Sequence, residues 1–224
     1  MGILDIYFAP SKVFNALKER PRWILPLVIV LVVVALTTVL TMTFAREAIM
    51  TVQQEALERR GLTEEQMEQA MQFTQGPAAA ISGAVSAVIF TGILLLIFAV
   101  VVNLFVPLFG GDSGFKRVFS VICYSALVMV PAAVLKLLMI ATTKSPYVTT
   151  SLALLAPGLA RTSFGYQLLA GFDFFMIWEM VLVAMGISIT NRINRENAYI
   201  LVFAIWIISI FFGIGLSSIF GRGA

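Results

Sequence analysis

Five long apolar runs, almost free of charge, constrain this chain more than anything else in it. They cover roughly residues 24–44, 78–106, 118–140, 166–190 and 198–220. Each is about 20 residues or longer, enough at about 1.5 Å per residue to cross a hydrocarbon layer of about 30 Å. Backbone amides find no water inside lipid, so such runs must be helices. The expected fold is therefore all-α: a polytopic membrane protein with five transmembrane helices. The composition agrees, with 60% hydrophobic and only 12% charged residues, against about 25% charged in a soluble domain. In 224 residues, five spans and their loops leave no room for a second globular domain, so residues 1–224 read as one membrane domain.

The net charge of +3 is small and sits beside the spans, where it reads as topology and not as a nucleic-acid surface. Eight basic residues fall on one side: Lys12, Lys18, Arg20 and Arg22 in the N-terminal tail, Lys116 and Arg117 after the second run, and Arg192 and Arg195 after the fourth. Six fall on the other, spread over longer connections: Arg46, Arg59, Arg60, Lys144, Arg161 and Arg222. The positive-inside rule then expects a cytoplasmic N-terminus and an extracytoplasmic C-terminus. The first run is too long for a signal-peptide core and reads as a retained anchor. Met1-Gly2 opens like a myristoylation signal, but Ile6 stands where that signal needs Ser or Thr.

Two polar segments flank the first run. In the tail, Ser11 suggests an N-cap and Pro21 a stop. Val13, Phe14 and Leu17 then share one face, with Lys12, Lys18 and Arg20 off it. Residues 1–23 are expected to hold a short amphipathic helix lying in the membrane interface, with Trp23 as a belt anchor. It would orient the chain or meet anionic lipid or a partner. Residues 45–77 are expected to form an extracytoplasmic helical hairpin. The first span continues outward to Arg60, Gly61 caps it, and Thr63-Glu64-Glu65-Gln66 opens a second helix to about Thr74. Met67, Met71 and Phe73 face either a partner or the preceding helix. Residues 151–156 are apolar but too short to span, which suits an interfacial or re-entrant turn.

The candidate functional residues are the polar groups inside the runs: Lys136, Asp173, Glu179, Asn103 and Tyr124. Ionisable groups in lipid are costly, which makes them candidates by default. Lys136 and Asp173 lie at similar depth, roughly 10 Å from their shared connection, and are expected to meet as an ion pair. That pair either fixes packing or marks a pathway, and a lysine can also snorkel without a partner. Glu179 sits near the middle of the fourth run. A lone carboxyl there needs a proton or a partner, and Lys136, Asn103 and Tyr124 are the expected partners. A structural bond and a proton- or cation-handling role both remain open.

Ala79, Gly83 and Ala87, and likewise Gly213 and Ser217, recur at four-residue spacing, which lets helices approach closely. Pro131 should kink the third span. Gly110–Gly114 lacks the Lys-Ser/Thr ending of a phosphate loop and reads as a turn. The chain has no histidine, and its one cysteine, Cys123, lies within an apolar run. No catalytic set, metal site or cofactor is expected.

The motifs around these runs resemble the YIP family of membrane proteins, particularly its bacterial branch. Phe8-Ala9-Pro10-Ser11-Lys12-Val13-Phe14, with Pro21-Arg22-Trp23 and Pro26, is similar to the family's approach to its first span. Asp5-Ile6-Tyr7 resembles the Asp-Leu-Tyr-Gly-Pro motif of eukaryotic members, without the glycine. Gly114-Phe115-Lys116-Arg117-Val118-Phe119 with Tyr124-Ser125-Ala126 and Pro131 resembles the third span. Gly171-Phe172-Asp173-Phe174-Phe175 with Trp178 and Gly186 resembles the fourth, and Asn197-Ala198 with Trp206 the fifth. The likeness covers nearly the whole chain. It implies five spans, a cytoplasmic N-terminus and a non-enzymatic protein. The Rab-binding role of eukaryotic relatives is not expected, because the exposed hairpin reads as extracytoplasmic.

The expected function is a scaffold or partner-binding protein of a bacterial inner membrane. It would contact lipids and other membrane proteins or further copies of itself, and no nucleic acid. The alternative is a transporter, channel or lipid scramblase with a polar path around Glu179, Asp173, Lys136 and Asn103.

Overall fold

A computed structural model of the chain describes residues 2–59, 65–66 and 77–220. Among these, ten α-helices follow in order: α1 Asp5–Phe8, α2 Pro10–Glu19, α3 Ile24–Phe44, α4 Arg46–Arg59, α5 Pro77–Phe105, α6 Phe115–Ser125, α7 Met129–Thr143, α8 Phe164–Gly171, α9 Phe174–Thr190 and α10 Arg195–Phe220. Four stretches are long and apolar enough to cross a membrane: Ile24–Phe44, Ala78–Phe109, Phe115–Thr143 and Arg195–Ser218. Phe174–Thr190 is a shorter apolar helix.

The stretches differ in how much protein covers them. Only 11% of the most apolar window of Ile24–Phe44, or of Ala78–Phe109, is buried, against 67% for Phe115–Thr143. The α6–α7 stretch is therefore the core helix, and α3 and α5 turn their outer faces away from the protein. Side chains such as Leu36, Ile89, Phe90 and Leu104 stand exposed there. Beside α6, α9 completes the core: Glu179, Met180, Leu182, Val183, Ala184, Gly186, Ile187 and Thr190 are all buried.

The fourth run is not one helix. Hydropathy runs unbroken through residues 166–190, but the backbone leaves the helix at Phe172 and Asp173. Asp173 is the N-cap of α9: its Oδ1 accepts from the Phe175 amide at 2.9 Å. Asp173 is thus a helix-start residue at a break inside the apolar run. Across the break, Ser151 bridges Asp173 and the Leu152 amide donates to the Phe172 carbonyl at 3.0 Å. The segment expected to be interfacial or re-entrant is a 3-10 turn, Leu152–Leu155, packed on α8.

Pro131 lies just after a local change of helix geometry. The third stretch loosens into 3-10 geometry at Ala126–Val128, one turn before it. Proline has no amide to give, so the Leu127 carbonyl, four residues earlier, loses its regular helical donor. The Tyr7 hydroxyl donates to that carbonyl at 2.6 Å.

That bond helps to dock the N-terminal helices on the bundle. The apolar face is the one foreseen: Val13, Phe14 and Leu17 are fully buried, together with Ile6. Protein covers it, because α2 packs on α9 and α6. Tyr7 meets Trp178 edge-on at 6.2 Å, and Ser11 donates to the Met185 sulfur. Phe14 lies against Gly186, where a Cβ would come within 2.9 Å of its ring and 2.4 Å of Val121. The helix starts at Pro10, not after Ser11, which suits proline at the first helical position.

Of the expected hairpin, Arg46–Arg59 is helical. Ala45 separates it from α3, although hydrogen bonds pass through: its amide reaches Thr41 and its carbonyl accepts from Ile49. Gly61, Thr63, Met67, Met71, Phe73 and Thr74 lie outside the described residues.

Candidate functional site

The two ends of the bundle treat their polar residues differently. At the basic end, the turn after α5 is fastened to the turn after α9. The Asp112 amide donates to the Asn191 carbonyl at 2.8 Å, and Asn191 Nδ2 donates back to the Asp112 carbonyl at 2.8 Å. Thr190 donates to Asn191 Oδ1 at 2.7 Å, and Asn197 Nδ2 reaches the Phe109 carbonyl at 3.4 Å. Gly111 is pressed so closely on Ile193 that a Cβ would come within 2.4 Å of it. Asn103 belongs here: its Oδ1 accepts from the Gly114 amide at 2.9 Å, holding the start of α6. Trp23 meets Phe119 at a tilt, with ring centres 5.3 Å apart, which brings the start of α3 to the same end.

At the other end, Lys136 and Asp173 meet as their depth suggests, with Nζ 3.6 Å from Oδ2. Thr150 also donates to Asp173 Oδ2. The carboxylate therefore serves three donors: an ammonium, a hydroxyl and the Phe175 amide. Lys136 has this one carboxylate and is 41% exposed at its side chain, against 13% for Asp173. It stands in the wall of a groove between α3 and α7. One arm, of about 400 Å³, is lined by Thr37, Thr38, Thr41, Met42, Leu137 and Val148 among others. A second arm, of about 180 Å³, runs past Val30, Val33, Val34, Ala126, Met129 and Val130. Thr37, Ala133 and Lys136 border both.

Glu179 is buried in α9 and meets none of the partners expected for it. Lys136 is with Asp173, Asn103 is in the basic-end turn, and among the described residues no hydrogen bond joins Tyr124 to Glu179. Among the described residues, the Glu179 carboxyl has no hydrogen-bond or ion-pair partner. Glu179 and Asn103 are not among the residues that line these two arms.

Three contributors lie outside the candidate residues read from the sequence: Tyr7, Thr150 and Asn191. Pro131 was a usable signal for the first, since it announces an orphan carbonyl that needs a donor. Burial pushes the Tyr7 phenol up, which keeps it a neutral donor. Asn191 had a weaker signal, as a polar residue closing an apolar helix. Thr150 had none. Among the described residues no group of His, Cys, Asp or Glu is arranged to hold a metal ion.

The Yip1 domain matches residues 4–217 of this chain. The chain belongs to the Yip1 family. The match takes in the N-terminal helices as well as the bundle, in keeping with their packing as one body. The Bacillus subtilis (strain 168) protein described as "Membrane protein YknW" is 29% identical over 206 residues, covering 89% of this chain and 82% of the relative. No solved structure matches. This Yip1 protein is thus a multi-pass helical membrane protein with a bacterial relative.

Proposed function

We propose that this Yip1 protein is a non-enzymatic scaffold of a bacterial inner membrane. It crosses five times, α9 being the short fourth span, with its N-terminus in the cytoplasm and its C-terminus outside. It holds other membrane proteins, or a second copy of itself, against the uncovered faces of its outer helices. The observation that carries this reading is where the polar side chains go. Asn103, Asn191, Asn197 and Thr190 all join loops or helix ends. Among the described residues they leave no nucleophile–base pair.

The small-residue rows add to it. Gly83 faces Met42 of α3, where a Cβ would meet the methyl at 2.6 Å, so that row serves the bundle itself. Gly213 of α10 has nothing within 4 Å of its Cβ position, beside exposed Phe212 and Ile208. A small residue on an open helix face lets another helix approach. Photo-crosslinkers at Phe212 and Ile89, in native membranes, test the reading. Protein–protein products at either position are expected. Products with lipid alone at both, in a chain that stays monomeric in nanodiscs, count against it.

The groove beside Lys136 favours a second reading, a transporter or lipid scramblase. Liposome flux and scrambling assays decide it. No activity removes the class, and unchanged activity in Lys136→Met removes that residue from the mechanism.

A further inference from the structure

We propose that the groove between α3 and α7 is a binding site for one anionic phospholipid, with the phosphate at Lys136 and an acyl chain in the apolar arm. The starting point is an imbalance of donors. An ammonium carries three N–H donors, and the single carboxylate beside Lys136 already accepts from Thr150 and Phe175. The remaining donors face a groove with apolar walls, where unmet polar groups are costly.

A second idle donor lies on the opposite wall, on α3. Thr37 and Thr38 return their hydroxyls to the preceding helical turn, at the Val33 and Val34 carbonyls. Thr41 lines the same arm, and among the described residues its hydroxyl has no partner. Lys136 and Thr41 together offer what a phosphodiester oxygen accepts: a charge-assisted N–H and a hydroxyl. Lys144 adds positive charge at the mouth, where its Nζ sits 5.8 Å from the Phe44 ring centre.

The groove also has the polarity of a lipid. Its larger arm opens toward Ile49, Pro146 and Val148, at the end where α3 and α7 finish. Its smaller arm leads from Lys136 toward mid-bundle along Val30, Val33, Val34 and Val130. A head at Lys136 therefore places a chain among valines, on the side of the bilayer away from the basic end. The site requires neither partner capture nor lipid transport. Binding is read separately from both, so its failure and that of the scaffold reading are distinguishable.

Native mass spectrometry of the delipidated full chain, with phosphatidylglycerol or phosphatidylcholine of identical chains, tests this. Both lipids carry the phosphodiester, but the choline of phosphatidylcholine offsets its charge, so phosphatidylglycerol should be retained about tenfold more strongly beside Lys136 and Lys144. Lys136→Met should bring it down to the phosphatidylcholine level, and Lys136→Arg should keep the preference. Ala133→Leu, which narrows both arms, should weaken both lipids. Thr41→Val covers the case in which Lys136→Met fails to fold, and should lower the preference a few-fold. Equal retention of the two lipids by the unaltered chain overturns the proposal. So does a preference that survives Lys136→Met, or one lost instead in Lys116→Met at the basic end. Protein dimers that disappear in Ala133→Leu would assign the groove to a second copy and overturn it equally.

Discussion

One end of this bundle is closed and the other is open, although both carry polar residues next to apolar helices. At the basic end, Asn103, Asp112, Asn191 and Asn197 tie the two turns with hydrogen bonds, and Gly111 lets the turns touch. At the far end, Asp173 already serves three donors while Lys136 beside it keeps donors facing a groove. The difference teaches where to look for function. A polar group whose partners are all internal holds the fold together, whereas one with unused capacity needs something from outside.

The largest test of the closed end is Gly186→Leu. A Cβ there already meets Val121 and Phe14 at 2.4 and 2.9 Å, inside the core that seats α2. Overpacking of this kind costs about 3 kcal/mol. Thermal unfolding in detergent should show a large drop, or no folded protein. A near-native transition would mean that α2 is not docked on α9. Asn191→Ala comes next, at roughly 2 kcal/mol, because a buried amide that bonds the Asp112 carbonyl and accepts from Thr190 is removed. By comparison, Lys136→Met at the open end should change stability by less than about 1 kcal/mol. Equal losses in these two variants would erase the distinction between the ends.

A smaller effect belongs to the bond between them. Tyr7→Phe should cost about 1 kcal/mol, because the Leu127 carbonyl loses its donor. Pro131→Ala should restore a helical amide to that carbonyl. In the Pro131→Ala background, Tyr7→Phe should then cost almost nothing. A double-mutant cycle measured by unfolding reads this coupling directly. Additive losses would show that the hydroxyl and the proline act separately.

Much of this architecture is legible in residue order. Apolar runs longer than a bilayer force helices, and the ends of α3 fall where hydropathy changes. Equal depth from a shared loop brings Lys136 to Asp173. The fourth run was harder, because Gly171 and Phe172 give hydropathy no reason to stop, and only Asp173 before Phe174-Phe175 signals an N-cap. Amphipathicity located the face of α2 but not what covers it. A lipid surface and a protein groove ask for the same Val13, Phe14 and Leu17 pattern. Glu179 was readable as a buried acid. Its neighbours were not, since partners across helices depend on packing that no local spacing encodes.

Gly213 gives the smallest stability effect and the sharpest separation of fold from assembly. Its Cβ position is empty within 4 Å, so Gly213→Leu meets nothing inside the chain. An outward-facing change of this kind should shift unfolding by no more than about 0.5 kcal/mol. If another helix rests on this face, the added side chain pushes it away, because small residues are what allow close approach. Crosslinked dimers should then fall while the unfolding temperature holds. Dimers that persist unchanged would move the contact to another face, such as that of Ile89 on α5. A large loss of stability with no change in assembly would mean that α10 packs more tightly on its own bundle than its open glycine indicates.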